Sequence, residues 1–158
     1  MPDDSKDDSM PASHPNIMLG RSDLHYHRSF NLITWHPRGV LDDVLLDEIE
    51  AWLWTLETAS PQFERFVDLS QLTEIAVRVN HVFEFARKRA RHLAEAPRMK
   101  SALFCEDWVG FAIARIYQDL MAETPLQVRA FRDRKQAATW LGVPVDALKP
   151  TQEPLPPS

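Results

Sequence analysis

The sequence predicts an α/β domain: a largely parallel five-stranded sheet built from successive β-α units, with about four helices. Three observations carry this. Short apolar runs rich in β-branched and aromatic residues alternate with longer amphipathic stretches. The apolar positions of those stretches recur at helical spacing. Strands alternating with helices of this length suit crossover units, which bring consecutive strands side by side in parallel.

Taken in order, Leu24–Ser29 and Asn31–His36 form two strands, joined as a hairpin. Leu41–Glu57 is the first helix, with Asp42 and Asp43 placed to favour a helix N-terminus. Its apolar positions Leu45, Leu46, Ile49, Trp52, Leu53 and Leu56 share one face. Phe63–Leu69 is the third strand. A second helix covers about Asn80 to Glu95, with Asn80 as its cap and Val82, Phe83, Ala86, Ala90 and Leu93 facing inward. Lys100–Cys105 is the fourth strand. The third helix covers Asp107–Glu123, with Val109, Ile113, Ile116, Tyr117 and Leu120 inward. Leu126–Phe131, the fifth strand, follows the breaker Pro125 and alternates Leu126, Val128 and Ala130 with Gln127, Arg129 and Phe131. Arg134–Leu141 is a short last helix, and Gly142 suits the left-handed position that follows a helix.

The 158 residues fit one domain and two tails. Residues 1–22 read as an acidic, disordered tail, 23–148 as the folded domain and 149–158 as a proline-rich tail. The hydrophobic fraction of 44% is ordinary for a globular chain. A net charge of −5 argues against nucleic acid as a partner. The lone Cys105 excludes an internal disulfide and a cysteine-rich zinc site. No apolar run approaches the roughly 20 residues of a membrane span, and MPDDSKDDSM is too acidic for a secretory signal. The expected setting is cytoplasmic.

Several fragments, in their order and spacing, resemble the SpoIIAA-like family, relatives of the STAS domain of anti-sigma-factor antagonists. They are Asn31-Leu-Ile-Thr-Trp-His-Pro-Arg-Gly39, Arg65-Phe-Val-Asp-Leu-Ser70, Lys100-Ser-Ala102, Phe131-Arg-Asp-Arg134 and Ala138-Thr-Trp-Leu-Gly142. The resemblance runs from Leu24 to Val143 and implies a SpoIIAA/STAS-like fold, a mixed, largely parallel five-stranded sheet of successive β-α units with about four helices mainly on one face. It implies a noncatalytic regulatory module that binds a protein near the helix after the third strand. It also implies a phosphorylated serine at that helix's start, but Thr73–His81 contains no serine, and Ser70 and Thr73 fall earlier. A small apolar ligand or membrane-associated regulation are further family-level expectations.

Surface candidates follow from charge and exposure. Between Ala76 and Lys100 stand seven basic residues and two acidic ones. Arg78, His81, Arg87, Lys88 and Arg91, with the loop Gln71–Asn80, are the expected contact for a protein partner, and such a basic face suits an acidic protein, a phosphate group or an anionic lipid head. The plainer alternative is a solvated helix balanced by the six acids of Asp42–Glu57. Trp54 and Phe111 fall opposite their helices' apolar stripes, with Trp108 alongside. They are expected to mark a homodimer contact or a pocket wall, unless a tail or loop covers them. His25 and His27 point the same way from one strand, but no third ligand joins them, so no metal and no cofactor is expected. Arg38, Asp68 and Ser70 lie at strand ends, where open α/β sheets bind ligands, although turn capping explains Asp68 and Ser70 as well. The chain has four glycines and lacks a P-loop, a dinucleotide fingerprint and a nucleophile elbow. An enzyme would have to use Asp68, Ser70 and Cys105, which no spacing unites. The favoured reading is a noncatalytic protein-binding module, and the alternative a binder of a small apolar or lipid-like ligand between helices and sheet.

Overall fold

The first two strands are joined by a turn that local chemistry dictates. Asn31 takes the left-handed conformation at φ 50°, which a short amide side chain tolerates, and its amide donates to the Gln62 carbonyl at 2.6 Å. In the computed structural model, which describes residues 24–59 and 62–150, this closes β1 (Leu24–His27) onto β2 (Leu32–Trp35) through a single 3-10 turn. The two strands pair antiparallel, with Leu24 opposite Trp35.

Every other neighbour in the main sheet is parallel. β4 (Glu64–Asp68), β6 (Met99–Phe104) and β7 (Leu126–Phe131) follow β2 in the order β1-β2-β4-β6-β7. The five strands and their mixed, largely parallel pairing match the sequence expectation. The four helices are α1 (Asp43–Ala59), α2 (Val79–His92), α3 (Trp108–Leu120) and α4 (Arg134–Leu141). Three of them lie over one face of the sheet. α4 covers the other with the 3-10 turn Val145–Leu148.

Two short strands escaped the sequence reading. β3 (Gly39–Leu41) and β5 (Leu72–Ile75) form a separate two-stranded parallel sheet. Part of the stretch Gln71–Asn80, expected as loop, is therefore strand. The partner of each strand lies some thirty positions away, beyond any local window. The Leu41 carbonyl accepts the Ala76 amide at 2.8 Å, so the lead-ins to α1 and α2 share one hydrogen-bonded platform.

Helix ends are capped as their chemistry allows. Asp42 accepts from Leu45 N–H, Asp107 from Val109 and Gly110, and Asp133 from Lys135. Gly142 ends α4 at φ 75°. Asn80 is not a cap: α2 begins at Val79, and the Arg78 amide donates instead to the Asp43 carboxylate of α1 at 3.0 Å. Three inward expectations also fail. Phe83 on α2 and Val109 and Leu120 on α3 are exposed, because the buried faces of those helices centre on Ala86 and on Gly110 and Ala114, and these side chains fall to the flank. The expected tails, 1–22 and most of 149–158, lie outside the described residues.

Gly110 fixes how α3 meets the sheet. A Cβ there would stand 2.3 Å from Cys105 Sγ and 2.8 Å from Ile75 Cδ1, closer than any side chain sits, so the helix packs directly on the end of β6 and on β5.

Candidate functional site: a cavity with buried charge beneath the sheet

Strand alternation sends opposite residues to the two faces. On the α4 face, Leu32, Phe66, Ala102, Phe104 and Phe131 meet Ala137, Ala138, Leu141 and Leu148 in a closed apolar cluster. On the other face, β2 presents Ile33 and Trp35, β4 presents Arg65 and Val67, and β6 presents Ser101 and Leu103. These residues do not meet the helices fully. A cavity of about 140 Å³ lies between them and α1, α2 and α3. Leu46, Ile49 and Leu53 of α1 and Ile113 and Ala114 of α3 supply much of its apolar wall.

Three charged side chains belong to this face. Glu57 from α1 accepts from Arg65 of β4 at 2.6 Å and from both terminal nitrogens of Arg89 of α2, one of them at 2.8 Å. Arg65 also donates to the Phe63 carbonyl at 3.1 Å. The Tyr117 hydroxyl on α3 lies beside Arg89. Desolvation is the largest influence on each guanidinium: it holds Arg65 below its ordinary pKa, while the Glu57 and Tyr117 contacts outweigh it at Arg89. Burial likewise pushes the Tyr117 phenol up, keeping it neutral. Two cations thus share one anion, and both arginines line the cavity.

The sequence reading missed this cluster, yet a signal existed. Arg89 sits three residues after Ala86 and four before Leu93, on the apolar stripe of α2. Glu57 continues the stripe of Ile49 and Leu53, and Arg65 alternates in phase with Val67. A charge at an apolar phase position is a candidate for burial with a partner.

The expected partner-binding residues divide into two groups. Arg78 donates its Nε to Asp43 at 2.5 Å, and its backbone and side-chain hydrogen bonds hold the Asp43 carboxyl below the usual range. His81 Nε2 lies 2.7 Å from Asp47 and its Nδ1 3.7 Å from Glu84. The acids of α1 therefore neutralise this end of α2. Arg87, Lys88 and Arg91 are exposed and have no ion-pair partner among the described residues.

The aromatic candidates do not converge. Trp54, on α1, stacks on His92 of α2 with ring centroids 3.9 Å apart. Trp108 and Phe111, on α3, meet edge-to-face at 6.1 Å, and the Arg132 guanidinium lies 3.6 Å from the Trp108 centroid.

At the C-terminal end of the strands, Arg38 is exposed just before β3, whereas Asp68 is fully buried. The Asp68 carboxylate accepts from His36 Nδ1 at 2.9 Å, Arg134 at 2.7 Å, and the Ser70 amide and hydroxyl at 2.9 and 2.5 Å. Burial works to raise this carboxyl, but the His36 and Ser70 hydrogen bonds and the Arg134 charge hold it below the usual range. Ser70 donates to the acid and not to a histidine, and Asp68 is saturated by donors. This arrangement ties β2, β4 and the start of α4 together. Cys105 is buried nearby, and desolvation raises its thiol pKa. The paired rings of His25 and His27 stand 5.3 Å apart on β1, and His27 Nε2 lies 3.0 Å from the Thr34 hydroxyl.

No family model matches the chain, and no curated protein does. Among solved structures, the chain is similar to an uncharacterised protein of the DUF3478 family with a SpoIIAA-like fold from Shewanella loihica PV-4. The two are 16% identical over 70% of this chain and 83% of that one, with a TM-score of 0.43. The fold class of this chain stands on its own strand order and helix placement. Among the described residues, no helix is long and apolar enough to cross a membrane.

Proposed function

We propose that this chain is a noncatalytic binding module whose ligand is a small, mostly apolar molecule held between the sheet and α1, α2 and α3. The cavity of about 140 Å³ supports this reading. Close packing is the norm in protein interiors, and a void of about this size, when apolar, takes up a ligand the size of benzene. The saturated state of Asp68 and the burial of Cys105 favour a role without chemistry at the strand ends.

The test is thermal unfolding and ligand-observed NMR against a panel of small aromatic and aliphatic compounds, with the native chain and Ala114→Leu side by side. Ala114 lines the cavity, so leucine there would occupy it. Stabilisation of the native chain that is absent in Ala114→Leu is expected. Equal responses from both proteins would sink the reading.

One observation favours a second reading, a regulatory module that docks an acidic protein on α2. Arg87, Lys88 and Arg91 are the cations of that helix which α1 leaves unneutralised. If they dock a partner, reversing Arg87 and Arg91 to glutamate abolishes its binding. Undiminished binding would remove that assignment.

A further inference from the structure

We infer that the ligand of this cavity is a short carboxylate with an apolar body of about six to eight carbon atoms, and that Arg65 and Arg89 receive its anionic end. The inference rests on the cavity reading above and adds to it the chemistry of the ligand.

Charge is the first argument. Arg65 is 5% exposed and Arg89 1%, and Glu57 is the one carboxylate that both contact. Tyr117 is held neutral beside them. The other buried acid of α1, Glu50, lies 2.8 Å from His92 and does not line the cavity. The Arg65–Glu57–Arg89 cluster therefore carries one cation more than it balances. A buried cation left uncompensated is strongly destabilising, and a second carboxylate in the same space would offset that.

Open donors are the second argument. The Nε atoms of Arg65 and Arg89 are buried and find no acceptor among the described residues, and neither does Nε1 of Trp35, which is 8% exposed. All three residues line the cavity, with these nitrogens lying just behind its surface. Buried donors normally have partners, and one left open is destabilising. A carboxylate offers two oxygens and about four lone-pair sites, which suits a pair of guanidinium edges and an indole N–H. Phosphate and sulfate fit less well, because the rest of the wall is aliphatic and aromatic and offers few further donors.

Size is the third argument. A space of about 140 Å³ excludes a long acyl chain lying wholly inside it. A single ring or a short chain is what fits.

The experiment compares three probes on the full native chain by calorimetry: benzoate, benzyl alcohol and acetate. Benzoate has the charge and the body, benzyl alcohol the body without the charge, and acetate the charge without the body. Benzoate is expected to bind at least about ten-fold more tightly than either, the scale of one charge-assisted hydrogen-bonded contact. The indole N–H resonance of Trp35 should shift on titration with benzoate. If benzyl alcohol binds as tightly as benzoate, the anionic end is wrong and the apolar cavity reading survives. If acetate matches benzoate, or if only the exposed face of α2 responds, the carboxylate site in the cavity is overturned. If none of the three binds, both the inference and the reading beneath it fall. Arg65→Met sharpens the result by removing the advantage of benzoate over benzyl alcohol while keeping the latter's binding. Should that variant fail to fold, the three probes on the native chain still decide.

Discussion

Ala137 on α4 and Ala114 on α3 are both buried alanines facing the same sheet from opposite sides. Around Ala137 the space is filled. Phe66 and Phe104 lie nearly parallel with centroids 6.3 Å apart, Trp140 packs on Phe131 at 5.6 Å, and Lys100 donates from the rim to the Trp140 carbonyl. Around Ala114 lies open volume bordered by two arginines and a tyrosine. One set of strands thus supports a face closed by shape and a face organised by charge around a void. The difference teaches where this protein keeps stability and where it keeps room for something else.

The largest test of that division is Glu57→Gln. It keeps the side chain's size but leaves Arg65 and Arg89 buried without their carboxylate. A loss of about 3–5 kcal/mol is expected in urea unfolding, and a loss under about 1 kcal/mol would mean that the arginines are hydrated. On the closed face, Leu141→Ala should cost about 2–5 kcal/mol. The cost should not be recovered by any small ligand, since no binding space is proposed there. Next comes the alanine pair. Ala137→Leu overpacks its face and is expected to lose about 1–3 kcal/mol, whereas Ala114→Leu fills space and is expected to gain about 0.5–2 kcal/mol. Losses of equal size from both would erase the contrast between the faces.

The smallest effect at neutral pH concerns acid. Because the Asp68 carboxyl is held below its unfolded pKa, its contribution is present above about pH 3.9 and is lost as pH falls through the lower folded value. The native chain should therefore weaken on the acid side of pH 4. Asp68→Asn should flatten that limb, measured by thermal unfolding between pH 2 and 6.

The sequence disclosed the closed face better than the open one, for a physical reason. The five strands of the main sheet and the four helices show themselves because their apolar positions are patterned, and period then separates 2 from 3.6. Gly142 and Asp42 were legible because caps act locally. Charged residues in Glu57, Arg65 and Arg89 read by default as surface, since their burial depends on three elements converging, which no local window contains. The same blindness hid β3 and β5. Conversely, Arg78 and His81 stand out as basic in a linear count, and only tertiary packing brings Asp43 and Asp47 against them.

Cys105 lies 1% exposed beneath Gly110, in contact with the backbone of the turn that starts α3. A thiol placed so cannot meet a reagent until that helix lifts from the ends of β6 and β5. The rate at which a disulfide reagent modifies the single cysteine of this chain therefore counts openings of one helix. Followed against denaturant, it would tell whether the roof over the cavity detaches by itself or only when the whole molecule unravels.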